Sequence, residues 1–166
     1  MVAECLIHKN ISLGTLPAGS ANGLAKELGI SENPEMALNI IINGSRKKIH
    51  ILKINDKFCL HLSDIGFNAW MIKKFQSDNI RGFWGYFKAN FKIARRMLFL
   101  KSTFEAELTI DKKDVLVKVS MIVLANGTTY GTGAIINPTG NLEDEVFEII
   151  LIKKISILEV FKMMIS

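Results

Sequence analysis

The sequence predicts an α/β segment followed by an all-β sandwich, with one helix inserted among the later strands. Three observations carry that prediction. Residues 11–28 run strand, glycine-rich loop, helix; the apolar spacing changes from helical to alternating near Gly44-Ser45; and five short strand patterns separated by turn residues follow. The boundary divides the chain into residues 1–45 and 46–166.

The elements follow in order. Met1 to His8 reads as the continuation of a helix, and Ile11 to Leu16 as a short apolar strand. A Gly/Pro/Ser-rich turn leads into a helix from Ala21 to Leu28, closed by Gly29 at the position after the C-cap. Asn33 caps a second helix with Pro34 at its first position; this helix carries Met36, Leu38, Ile41 and Ile42 and ends at Gly44. Lys48 to Ile54 and Lys57 to Ser63 form a hairpin about Asn55-Asp56, residue types that tolerate positive φ. Thr103 to Ile110 alternates, with Phe104, Ala106, Leu108 and Ile110 on the core face. Asp111 to Asp114 turns the chain into a β-branched strand from Val115 to Leu124, and Val146 to Ile152 is the last strand. Phe83 to Leu100 has helical spacing, as does Ile157 to Ile165 at the C-terminus.

Composition narrows the class. Apolar residues are 49% and charged residues 22% of 166, with three prolines, which excludes a disordered or low-complexity chain. Mean hydropathy is +0.25, yet no uninterrupted apolar run approaches the ~18 residues a spanning helix needs. Cys5 and Cys59 are too few for a disulfide framework and the N-terminus has no basic signal region, so a cytoplasmic location is expected. The formal charge of +5 points to acidic partners such as phosphates, nucleic acid or an anionic membrane. No helix-turn-helix, zinc-finger or RNA-binding signature accompanies it, and no nucleic-acid partner is expected.

The stretch from Gly14 to Ile30 is the most informative. Its glycines allow close backbone approach, and Ser20 and Asn22 offer hydrogen bonds where a helix begins with free N–H groups, which suits a phosphate. The same residues also serve as a plain turn at Pro17 and Gly19 with Ser20 as helix cap. Gly14 and Gly19 have Walker A spacing, but no lysine follows Gly19. His8, His50 and His61 share no metal-ligand spacing, and Cys59 and His61 on one strand face read as packing residues. Asn126-Gly127 with Gly131 and Gly133 reads either as a turn or as a substrate-facing loop.

The segment from Gly14 to Ile30 resembles the loop after the nucleotide motif in the diacylglycerol kinase and sphingosine kinase family of lipid kinases, in its bacterial type. Ser63-Asp64-Ile65-Gly66-Phe67-Asn68-Ala69 follows in the family's order. So does the stretch from Ala125-Asn126-Gly127 through Tyr130 to Pro138 and Leu142-Glu143-Asp144. The resemblance implies the end of an α/β nucleotide-binding domain over residues 1–45 and a β-sandwich lipid-binding domain over 46–166, incomplete at its C-terminus, with ATP in a cleft. It implies that Ser20 contacts ATP phosphates while Gly19 and Asn22 shape the loop. By the same resemblance, Asp64 lies near the lipid headgroup, although a loop cap is its other reading. Asn141, Asp144 and Val146 correspond to Mg2+-holding positions, Asp144 by its carboxylate and the others by backbone oxygens. Gly23 stands where many members have Asp, and Glu145 where the family has glycine; a solvated acidic turn is the other reading of that loop.

The implied reaction is transfer of the ATP γ-phosphate to a lipid hydroxyl. The chain lacks the family's Gly-Gly-Asp-Gly-Thr run and its Asp-Gly-Glu, whose glutamate is the proposed base, so no catalytic residue is assigned. An internal or truncated piece with impaired activity is expected, and its unpaired strand edges favour a homodimer. The alternatives are a non-catalytic lipid- or nucleotide-binding module and a relative of NAD kinase. Between Trp70 and Lys101, eight basic residues face one acid, a net of +7, with Phe83, Phe87 and Phe91 on one helical face and Lys88, Lys92 and Arg95 on another. Such a helix suits a solvated cover over a sheet, and also peripheral docking on an anionic membrane.

Overall fold

The structure, a computed structural model, describes residues 2–19, 22–66, 103–130 and 135–154. Two compact units emerge: residues 1–63 with 125–148 and Ser166, and residues 64–124 with 149–165.

The first unit begins with helix α1 (Val2–Leu6). Residues 11–16, expected as a strand, have no strand structure. A strand exists through its neighbours' hydrogen bonds, and no described strand lies beside this one. Helix α2 (Gly23–Glu27) is shorter than the expected span from 21 to 28. It closes in a Schellman motif: Gly29 N–H donates to the Lys26 carbonyl, Ile30 N–H donates to the Ala25 carbonyl, and Gly29 takes φ +68°.

Helix α3 (Pro34–Asn43) starts as expected. The Asn33 side chain accepts from the N–H groups of Glu35 and Met36, and Pro34 occupies the first turn where no N–H is needed. Gly44 ends it in an extended conformation, and a Cβ there would collide with the Ile40 carbonyl. Ile41 of α3 lies against Gly14, where a Cβ would come within 2.9 Å of its Cγ2. Strands β1 (Leu52–Ile54) and β2 (Lys57–Cys59) form the expected antiparallel hairpin, with Asn55 at φ +53° in the turn.

In the second unit, β4 (Phe104–Ile110) and β5 (Lys113–Val119) pair antiparallel in register from Phe104↔Val119 to Ile110↔Lys113. The turn is tighter than expected: Asp111 and Lys112 alone make it, both at positive φ. Phe104, Ala106 and Leu108 sit opposite Val119, Val117 and Val115, so the alternation read from the sequence becomes cross-strand apolar pairing.

Strands β3 (Leu62–Gly66), β6 (Met121–Ala125) and β7 (Glu148–Ile152) form a sheet in the order β3-β6-β7, with most of their residues in the second unit. The long strand expected from Val115 to Leu124 is two strands. They divide at Ser120, whose N–H donates to the Ile152 carbonyl. Up to Val119 the chain pairs with β4; from Met121 it runs between β3 and β7. As the central strand, β6 is buried on both faces: Met121, Ile122, Val123 and Ala125 are all in the core. Gly66, at φ +111°, lets β3 pass the Ser120 carbonyl and the Phe104 ring, where a Cβ has no room.

The two-part architecture of α/β elements and β-sheets stands as expected. The expected helices over 83–100 and 157–165 lie outside the described residues. No helix among the described residues is long and apolar enough to cross a membrane.

Candidate functional site

The glycine-rich loop enters α2 through a reciprocal clasp. Gly19 N–H donates to Asn22 Oδ1 at 2.8 Å, and Asn22 Nδ2 donates to the Gly19 carbonyl at 2.8 Å. Asn22 adopts φ +51°, which asparagine tolerates better than most residues, and its backbone carbonyl accepts from Lys26 N–H. Both donors and both acceptors of the clasp are thus used within the loop. The clasp ties Asn22 to Gly19; Ser20 lies outside the described residues.

The Asn141, Asp144 and Val146 positions occur together in one loop of the same unit. Asn141 Oδ1 accepts from Glu143 N–H at 3.0 Å, Asp144 N–H donates to the Asn141 carbonyl at 3.4 Å, and Val146 N–H donates to Asp144 Oδ1 at 3.1 Å. Leu142 anchors the loop: it is buried, and its carbonyl accepts from His50 N–H. Glu143 turns away to Lys47 at 2.7 Å, an exposed pair. One carboxylate with backbone carbonyls is an all-oxygen donor set, the kind a hard cation takes together with several waters. No group of three or more His, Cys, Asp or Glu among the described residues is placed to hold a metal by side chains alone. Asp64 lies on β3, half-buried, in the second unit.

A second polar centre was not legible in the sequence. Glu27, the last residue of α2, has its side chain only 8% exposed. Its Oε1 accepts from Thr128 N–H at 3.0 Å and Thr128 Oγ1 at 2.9 Å; its Oε2 lies 3.3 Å from Thr129 N–H and 3.2 Å from His61 Nε2. Burial pushes the Glu27 carboxyl up. The hydrogen bonds from Thr128, His61 and Thr129 together outweigh it and hold the group below the ordinary carboxylate range.

Gly127 is obligatory here, because a Cβ would run into the His61 ring and come within 3.1 Å of Glu27 Cδ. Asn126, fully buried, sends Nδ2 to the His50 and Leu60 carbonyls at 2.9 and 3.0 Å, while its Oδ1 has no hydrogen-bond donor. Asn137 extends the network, donating to the Gly127 carbonyl and to Glu148 Oε2 at 2.7 Å. The Asn126-Gly127 pair was the only local signal of this centre. Glu27 by itself reads as a surface residue of an amphipathic helix. Two residues before His61, burial pushes the Cys59 thiol up, which favours its protonated form at neutral pH.

Comparison with known proteins bears on the whole chain. Residues 1–54 match the diacylglycerol kinase catalytic domain, and residues 84–166, half of the chain, match the YegS C-terminal NAD kinase beta sandwich-like domain. A probable lipid kinase, YegS-like, of Chromohalobacter salexigens is 24% identical over 163 residues, covering 93% of this chain and 49% of that protein. An uncharacterized protein of Synechocystis is 32% identical over 127 residues, covering 75% of this chain and 28% of its own length. The crystal structure of a diacylglycerol kinase from Bacillus anthracis superposes with a TM-score of 0.61 at 21% identity, over 90% of this chain and 47% of that one. The chain thus spans half or less of the length of these relatives. The two family matches follow one another along the chain, and the chain belongs to the bacterial diacylglycerol-kinase-like family of lipid kinases.

Proposed function

We propose that this chain carries nucleotide- and lipid-facing parts of a kinase that transfers the γ-phosphate of ATP to a hydroxyl of a diacylglycerol- or sphingosine-like lipid. The Gly19–Asn22 clasp is the observation that carries this reading. It ties Gly19 to Asn22 at the entrance of α2, and Ser20, between them in the sequence, is the hydroxyl assigned to phosphate oxygens. Residues 1–45 then belong to the nucleotide domain and 46–166 to the lipid domain, with Asp64 near the headgroup.

In the reaction the lipid hydroxyl oxygen bonds to the γ-phosphorus, the bond from that phosphorus to the β,γ-bridging oxygen breaks, and ADP leaves. The hydroxyl proton requires an acceptor that none of these residues provides. This chain's part is to hold phosphates and lipid in line, which lowers the entropic share of the barrier. Magnesium, when bound, supplies neutralising positive charge, and Asp144 with the carbonyls of Asn141 and Val146 would hold it. The site of action is the cytoplasmic face of the membrane, against anionic lipid.

The purified chain, titrated with a fluorescent ATP analogue and then incubated with radiolabelled ATP and lipid micelles, tests the reading. Binding of the analogue with weak label transfer to diacylglycerol or sphingosine, and none to NAD, is the expected result; no binding of the analogue would sink it. The second reading is a lipid- or nucleotide-binding module without turnover. Analogue binding without label transfer would select it.

A further inference from the structure

We propose that Glu27 is a positioning residue for the nucleotide, which deepens the ATP-binding reading above and rests on it. Helix α2 has five residues, far below the length at which a helix persists alone in water. Ala25 is its only core residue. Its placement therefore depends on what holds its two ends.

At the N-terminal end stands Asn22, engaged with Gly19. At the other end, Glu27 gathers the backbone N–H groups and hydroxyls of Thr128 and Thr129, and faces His61 Nε2 at 3.2 Å. A helical segment of this length is a rigid strut of about 7 Å. Fixing Glu27 on the 127–129 loop thus fixes where the Gly19–Asn22 turn stands within the first unit. The contact is nearly closed to water, where charge-assisted hydrogen bonds are strongest and least tolerant of loss. Gly127 allows it, since any side chain there would displace His61. Glu27 touches neither phosphate nor lipid in this proposal; it acts through α2.

The test titrates the 166-residue chain and its Glu27→Ala and Glu27→Gln variants with N-methylanthraniloyl-ATP, and follows amide exchange at Thr128 and Thr129. Glu27→Ala is expected to raise Kd about tenfold at unchanged stoichiometry, with faster exchange at both threonines. Glu27→Gln, which keeps one acceptor, falls in between. A merely structural role would lower the bound stoichiometry and leave the Kd of the remaining folded protein alone; that pattern, or an unchanged Kd, overturns the proposal. Should Glu27→Ala fail to melt cooperatively, the Thr128→Val/Thr129→Val double variant takes its place. It keeps the backbone donors, loses the hydroxyls, and is expected to raise Kd about threefold, with an unchanged value again decisive against. A native chain that does not bind the analogue overturns the ATP-binding reading and this inference together, a result distinct from a native chain that binds and variants that bind equally well.

Discussion

The two clasps of α2 make an instructive pair. At the start of the helix, Gly19 and Asn22 exchange two hydrogen bonds across three residues, in the open. At its end, Glu27 reaches about a hundred residues along the chain to Thr128 and Thr129, largely out of water. The first closes a short loop at small entropic cost, and water competes for every bond. The second orders distant segments, and its loss would strand donors where water cannot replace the partner. Local polar contacts shape a turn; buried distant ones decide which parts of the chain stand together.

Breaking the buried clasp has the largest expected effect. Gly127→Ala places a Cβ into the His61 ring and should destabilise the chain by about 2 kcal/mol in urea unfolding. Acid sharpens the comparison next. Because the folded Glu27 carboxyl titrates below its ordinary value of 4.5, its contribution is fully present above that value and is lost as the pH falls through the lower, folded one. Unfolding measured from neutral pH down to that range should show this loss in the native chain and its absence in Glu27→Gln.

Breaking the exposed clasp costs less. Asn22→Ala removes two water-accessible hydrogen bonds and puts alanine at φ +51°, for about 1 kcal/mol by thermal melting. Smallest is Lys47→Ala: its pairing with Glu143 is half-exposed on both sides, and the change should stay below about 0.5 kcal/mol in the same assay.

What the residues disclosed in advance was mostly local. Asn33 followed by Pro34 announced the start of α3, Gly29 the end of α2, and Asn55-Asp56 the β1–β2 turn, because each acts within a few residues of itself. The alternation of 104–110 was legible for the same reason. The Ile11 to Leu16 run was misread as a strand, since apolar residues permit a strand but hydrogen-bonding neighbours make one. The break at Ser120 was invisible, because both sides of it are equally β-branched and apolar while the pairing partners change.

The candidate site divides along the same line. Gly19 and Asn22 were marked by their loop and Asn141, Asp144 and Val146 by the family resemblance, and the internal hydrogen bonds of those loops span two or three residues. Glu27 and Asn137 were not marked, and Asn126 and His61 were read only within their own loop and strand, because their partners come from distant parts of the chain.

By itself, then, the sequence determined the caps, the turns, the alternating faces and the family. Only the tertiary structure decided that residues 46–63 and 125–148 cluster with the N-terminal segment, and that a glutamate on a five-residue helix is one point on which they meet. Short-range steric and capping preferences are properties of neighbouring residues. Burial of a charge against two backbone amides exists only once distant segments have been brought together.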